Sequence, residues 1–416
     1  MLSLTEARFA ILNKITCLPP ELIGIDAAVG RVCAAPIHAR LNQPPTAVSS
    51  MDGYALASAA FHDHQAFKQV ATIPAGKPWD GSLDRGQCAR IFTGGVIPAG
   101  ADCVIIQENA TKDKDRPAFI HFSDAPTKNQ WIRPKAYDFA IGAQILSAGS
   151  IIHARDIGVI ASANHPWLTV TRQPRVTIMV TGDELVLPGE TIQAGKIINS
   201  NGLALKAMLE QQGAIVTLLP IIRDDEDHLI AQARHALKAC DLLVTTGGAS
   251  VGDHDLVQSA FQKIGLQLEF SKTAVRPGKP TLFGMFGDVP YIGLPGNPVS
   301  VAVGHLLYIM PALLKMQGLG LNQSDEALSQ IAFSPALCAD SLPKNDQRAS
   351  FLRARIDGID DRTNLPLVTA AHEQDSAQQV NMARSDCLIY RPVNAPATAP
   401  HQRISILNFP PPLSSF

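Results

Sequence analysis

The chain has 416 residues, 46% hydrophobic and 17% charged, with a formal net charge of −2. That length exceeds one ordinary core and points to roughly two to four domains. The near-neutral balance supplies no global basic field for nucleic acid or an anionic membrane, so any anion site must be built locally. Seven scattered cysteines with no Cys-x-x-Cys pair argue against a disulfide framework or a structural zinc site and fit a reducing compartment. No apolar run of membrane-spanning length and no basic-then-apolar leader is read, so the expectation is a cytoplasmic protein with no membrane partner.

Ser3-Leu4-Thr5-Glu6 has the spacing of a capping box, and Leu4, Ala7, Ile11 and Ile15 recur at helical spacing, which predicts an amphipathic helix over 4–16. From 41 to 140 the texture is short apolar runs broken by Gly and Pro. Strands are predicted at 89–92 and 102–106, with Lys112–Asp115 as a hairpin tip. A short helix at 155–163 is expected to pack beside the first one. That makes 1–40 with 141–173 one discontinuous mixed α/β domain and 41–140 an inserted β-rich domain.

Residues 174–320 alternate strand and helix. Strands are expected at 175–180, 214–221, 241–245 and 289–293, and helices at 200–211, 226–239, 254–264 and 298–316. This is the pattern of βαβ units and a parallel sheet. After 321 the chain returns to β-texture at 351–356, 367–369, 387–390 and 404–407. The fold class is therefore α/β plus β: a multidomain chain whose central parallel α/β domain is flanked by β-rich N-terminal and C-terminal (321–416) domains, the latter barrel-like.

Three glycine-rich turns follow the central strands: Thr181-Gly182-Asp183-Glu184, Thr245-Thr246-Gly247-Gly248 and Leu294-Pro295-Gly296-Asn297-Pro298. In a parallel sheet the loops at the strands' carboxyl ends share one edge, and ligands bind there. Gly247, Gly248 and Ser250 could cradle a phosphate at the next helix, with Asp253 or Asp255 holding a cation; alternatively Asp253 only caps that helix. Asp183-Glu184 could bind Mg²⁺ or simply complement a helix dipole. Lys272, Arg276 and Lys279 surround a proline-stiffened loop that suits phosphate or an oxyanion such as molybdate, the alternative being a solvated charged loop. Arg353 and Arg355 share a strand face and read as surface charge unless a ligand meets them. His62-Asp63-His64 reads as a solvated loop. No Gly-x-Gly fingerprint follows the first strand, which argues against an NAD enzyme.

Ser49-Ser50-Met51-Asp52-Gly53-Tyr54-Ala55, Arg90-Ile91-Phe92-Thr93-Gly94 and the three glycine turns together resemble the molybdopterin molybdenumtransferase family, in order over nearly the full length. The resemblance implies a central domain of the molybdopterin-binding type. It also implies a reaction: Mg²⁺-dependent insertion of molybdate into adenylylated molybdopterin with release of AMP. Among the residues it implies, Asp52, Thr93, Glu184 and Asp255 are catalytic. Glu184, Asp255 and either Asp224 or Asp225, here Asp225, hold the metal. Gly247, Gly248, Ser250, Lys272, Arg276, Lys279, Pro295, Pro298, Asp138, Arg353 and Ser376 bind substrate. The implied assembly is a homodimer with a site shared between subunits, in possible contact with a molybdopterin adenylyltransferase. The turn before Asp138 departs from the family's Arg-Arg-Gly-Glu-Asp: it reads Arg133-Pro134-Lys135-Ala136-Tyr137-Asp138, with alanine in the glycine's place. A non-catalytic scaffold of the same fold and a CinA-like nucleotide-processing enzyme remain as alternatives. The retained acids speak against the first, and the Met51–Ala55 segment speaks against the second.

Overall fold

The computed structural model describes residues 1–61, 66–247, 256–319, 327 and 330–411. His62-Asp63-His64, and with them Gly248, Ser250, Asp253 and Asp255, lie outside the described residues. Two compact units emerge, one made of 1–35, 148–154 and 168–416, the other of 36–147 and 155–167.

The first helix, α1 (Leu4–Lys14), starts on the expected capping box, with Ser3 and Glu6 each accepting from the other's backbone N–H. Helix α2 (Ala154–Ser162) follows much later, almost wholly in the second unit. Leu4, Ala7 and Ile11 of α1 share a core with Val176, Ile178 and Leu307 of the central domain.

That central domain contains strands β1 (Arg175–Val180), β2 (Ile215–Leu218), β3 (Leu242–Thr246), β4 (Gln267–Phe270), β5 (Leu282–Phe286) and β6 (Val289–Leu294). They lie in the order β2-β1-β3-β6-β5-β4. The β2-β1-β3-β6 part is parallel, as expected, while β5 and β4, which the sequence reading missed, add an antiparallel edge. Helices α3 (Asn201–Gln211), α4 (Glu226–Ala236), α5 (Leu256–Lys263) and α6 (Pro298–Met316) cover both faces. Side chains alternate along β1, so Val176, Ile178 and Val180 join the core under α1, α3 and α6, while Met179 joins the core under α4 and α5. Each such fully buried aliphatic side chain is worth about 1.5–3 kcal/mol.

Helix α6 corrects the expectation that no apolar segment reaches spanning length. It has 19 residues and a mean hydropathy of 1.6, and 78% of its most apolar window is buried inside the fold. It is a core helix. Its middle, His305–Ile309, widens into a π-turn just before Pro311. Proline cannot donate to the carbonyl four residues earlier, that of Leu307. Arg8 of α1 supplies the missing donor, with Nη1 2.6 Å from the Leu307 oxygen. Arg8 is buried, and that burial pushes its guanidinium down to about 10.

In the second unit, six strands pair in the order 103–106, 53–56, 87–91, 67–73, 119–122, 110–112. The expected hairpin tip falls between the last two. Beyond α6, strand Ala349–Ile359 pairs with both Pro366–Ala370 and Cys387–Arg391, and these join through Ser334–Cys338 and Arg403–Asn408. The C-terminal sheet thereby closes into a barrel. The short strand Val275–Arg276 adds to it beside Ala349–Ser350. Six of the seven cysteines are buried, with burial pushing Cys88 and Cys103 up to about 12.

Candidate functional site

The glycine loops meet at one edge because the strands are in register. Val180 pairs with Thr246 and Thr246 with Leu294, so residues 181–184, 247 and 295–298 leave the sheet side by side. Gly247 is required there. Its φ is +90°, and a Cβ would stand 2.3 Å from the Thr181 carbonyl oxygen. Asn201, at the start of α3, ties the edge together: its Nδ2 donates to the Gly296 oxygen at 2.6 Å and to Thr246 Oγ1 at 3.3 Å. Thr246 Oγ1 in turn donates to the Pro295 oxygen at 3.2 Å. A cavity of about 270 Å³ opens at this edge, lined by Thr181, Glu184, Asn201, Gly247, Pro298 and Gln379 among others.

The C-terminal domain closes one side. Asn297 Nδ2 donates to Ser376 Oγ at 2.7 Å, and the Val299 N–H donates to the Ser376 oxygen at 3.0 Å, so Ser376 sits on the N-terminal turn of α6. Gln379 Nε2 donates to Ser200 Oγ at 2.7 Å. Arg353 holds the loop that carries Ser376. At 1% exposure it donates from Nη1 to the Asp375 oxygen (2.7 Å) and from Nη2 to the Glu373 oxygen (3.1 Å). Its Nε is buried without a hydrogen-bond partner. Arg353 and Arg355 therefore differ in surroundings: Arg355 is exposed and pairs with Asp357 at 3.3 Å.

The acids divide into two groups. In the first unit, the Asp224 N–H donates to Asp183 Oδ1 at 3.3 Å. Burial raises the Asp224 carboxyl above its ordinary value, and the charges of Asp183 and Glu184 push the same way. Asp225, singled out as a metal ligand, spends its carboxylate on capping α4 through the His228 N–H at 2.7 Å. Asp224 is thus the residue that stands with Glu184. Among the described residues no three His, Cys, Asp or Glu side chains converge as a metal-binding group. In the second unit, Asp52 Oδ1 accepts from the Thr93 N–H (2.8 Å) and from Thr93 Oγ1 (2.9 Å). The Thr93 backbone and hydroxyl bonds hold Asp52 below the usual carboxylate range, and Arg90 adds to this.

The basic loop is only partly available. Arg276 is ion-paired with Asp346, which also lies near Arg348. Lys272 is exposed, and among the described residues neither it nor Lys279 has an ion-pair partner. In the second unit Ala136, in the altered turn before Asp138, adopts φ +61°, a conformation that favours glycine. The Ala136 and Asp138 N–H groups donate to the carbonyls of Pro44 and Gln43. Asn201 and Gln379 were not singled out in the sequence, and Asn297 and Arg90 stood there only as members of the quoted motifs. Asn199-Ser200-Asn201 opening a helix beside the glycine turns was the available signal for the first; Gln379 had none, since only the tertiary fold brings it here.

Three family models match the chain: the MoeA N-terminal region (domain I and II) over residues 2–164, a probable molybdopterin binding domain over 177–315, and the MoeA C-terminal region (domain IV) over 335–407. A molybdopterin molybdenumtransferase from Nostoc is 31% identical over 398 residues, covering 94% of this chain and 89% of that protein. One from Haemophilus influenzae is 34% identical over 319 residues, covering 76% and 78%. The crystal structure of a molybdopterin biosynthesis MoeA protein from Pyrococcus horikoshii superposes over the full length of both chains with a TM-score of 0.83 at 22% identity, a likeness of fold. With glycine loops, acids and the Ser376 loop gathered on one sheet edge, and with relatives matching from end to end, the chain belongs to the molybdopterin molybdenumtransferase family.

Proposed function

We propose that this protein inserts molybdate into adenylylated molybdopterin and releases AMP, as a step of molybdenum-cofactor synthesis. The observation that carries this is the oxyanion cradle at the start of α6. Ser376 Oγ and the first turn of α6 stand together, and the neighbouring Arg353 has one buried N–H without a partner. A buried orphan donor costs about 1–3 kcal/mol unless a ligand accepts from it. Helix N-termini and fixed hydrogen-bond donors favour a tetrahedral anion. Pro295 and Pro298 stiffen the loop that shapes the cradle, and Gly247 lets backbone N–H groups approach the phosphates.

Glu184 and Asp224 fit Mg²⁺. Burial and, after it, the charges of Asp183 and Glu184 raise the Asp224 carboxyl, and a cation would favour its ionised form. Mg²⁺ prefers one or two carboxylates plus substrate phosphate oxygens and water, so two acids suffice, with Asp255 as a further candidate. Bound there, the ion would neutralise charge developing on the phosphoanhydride. Asp52, fixed by Thr93, stays ionised at neutral pH and is suited to orient water or accept its proton. Lys272 and Lys279 supply local attraction for the anionic substrates, and Asp138 is a further substrate contact. The protein acts as a homodimer in the cytoplasm and draws its substrate from a molybdopterin adenylyltransferase.

The decisive experiment mixes purified protein with adenylylated molybdopterin, Mg²⁺ and molybdate and follows AMP. Molybdate-dependent AMP release that disappears in Glu184→Ala is the expected result. Binding of the substrate without AMP release would establish the scaffold alternative instead.

A further inference from the structure

A second cavity, of about 250 Å³, lies away from the glycine loops between α3, α6, the short helix α7 (Gln379–Ala383) and the end of the C-terminal strand. Its wall is largely apolar and soft, with Met208, Leu306, Met382 and Phe409. One polar side chain in this wall is unusual. His305 is 2% exposed, and its Nδ1 has no hydrogen-bond partner. Burial pushes its imidazolium down to about 4, so the ring is neutral at physiological pH. It also begins the π-turn of α6, a distortion found disproportionately at functional sites. A neutral imidazole with an unmatched nitrogen costs free energy that a packed phenylalanine would not. The same three helices wall the candidate site at their other ends, through Asn201, Pro298 and Gln379.

We propose that this cavity is a regulatory binding site for a small, neutral aromatic molecule carrying one hydrogen-bonding group. Thioethers favour the edges of aromatic rings, and the imidazole offers the matching polar contact. An apolar cavity of about 150 Å³ already accepts benzene, so a substituted ring fits the volume here. A ring wedged between the end of α3, the middle of α6 and the end of α7 would act on the spacing of their first residues, where the candidate site lies.

Phenol and benzene serve as probes on the full chain, with methionine-methyl NMR as the readout. Phenol is expected to shift the Met208 and Met382 methyl signals and the side-chain amide signals of Asn201 and Gln379, with benzene binding about ten-fold more weakly. Ala302→Leu or Ala383→Leu should fill the space and abolish the shifts. His305→Phe should erase the preference for phenol. Methyl signals that do not respond up to the solubility limit of phenol, or that respond equally in both filled variants, would overturn the site. Methyl shifts with unmoved Asn201 and Gln379 amides would overturn its regulatory role.

Discussion

The basic loop at 272–279 and the strand that holds the Ser376 loop both bring arginine to the C-terminal domain, but they use it in opposite ways. Arg276 is exposed and already matched by Asp346. Arg353 is buried, spends two donors on the Asp375 and Glu373 carbonyls and keeps a third unspent. An exposed pair is worth only about 0–1 kcal/mol because water screens both charges. A buried guanidinium with an unmatched N–H is costly, and folds retain such groups where a ligand meets them. The contrast teaches that burial and incomplete pairing, rather than the presence of charge, mark where this molecule is prepared for an anion.

Removing the buried arginine should do the most damage. Arg353→Ala takes the side-chain donor from the Asp375 carbonyl and leaves Glu373 only its longer bond from Asn381, with an expected loss of about 3 kcal/mol or more in urea unfolding and loss of molybdate binding in calorimetry. Gly247→Ala comes next. It combines a positive φ with a Cβ 2.3 Å from a carbonyl oxygen, and should cost about 2 kcal/mol by the same measurement.

Asp224→Asn should act in the other direction. A carboxyl whose folded pKa is raised favours folding below its unfolded value of about 3.9 and loses that contribution as pH rises through the folded value. Ionised Asp224 therefore opposes folding at neutral pH. The asparagine variant should melt higher than the parent at pH 7, with the gap closing below about pH 4, while Mg²⁺ should stabilise the parent more than the variant. A gap that persists unchanged in acid would remove the like-charge account of this cluster. The smallest effect belongs to the exposed arginine. Arg276→Ala should change stability by less than about 1 kcal/mol, and a loss as large as that of Arg353→Ala would erase the distinction between the two loops.

Much of this was legible from residues alone. The strands ending at Val180, Thr246 and Leu294 and the glycine turns after them follow from periodicity and turn chemistry, which act locally. The capping box at Ser3 is local in the same sense. Strands β4 and β5 were missed because an antiparallel edge lacks the βα rhythm that exposed the others. The bond from Arg8 to the carbonyl freed by Pro311 is a long-range fact of tertiary packing that no local pattern announces. Asp225 and Asp224 were indistinguishable in sequence, since only the fold decides which of two adjacent acids caps a helix. Arg353 read as surface charge on its strand, and its burial depends on the barrel closing around it.

Anomalous scattering from crystals soaked in molybdate, or in tungstate as its heavier analogue, tests the central claim most directly. The account predicts a single strong peak within hydrogen-bond distance of Ser376 Oγ and Arg353 Nε, at the first turn of α6, and its disappearance in Ser376→Ala crystals. A map with no peak there, or with the anion bound only along the exposed 272–279 loop, would contradict it.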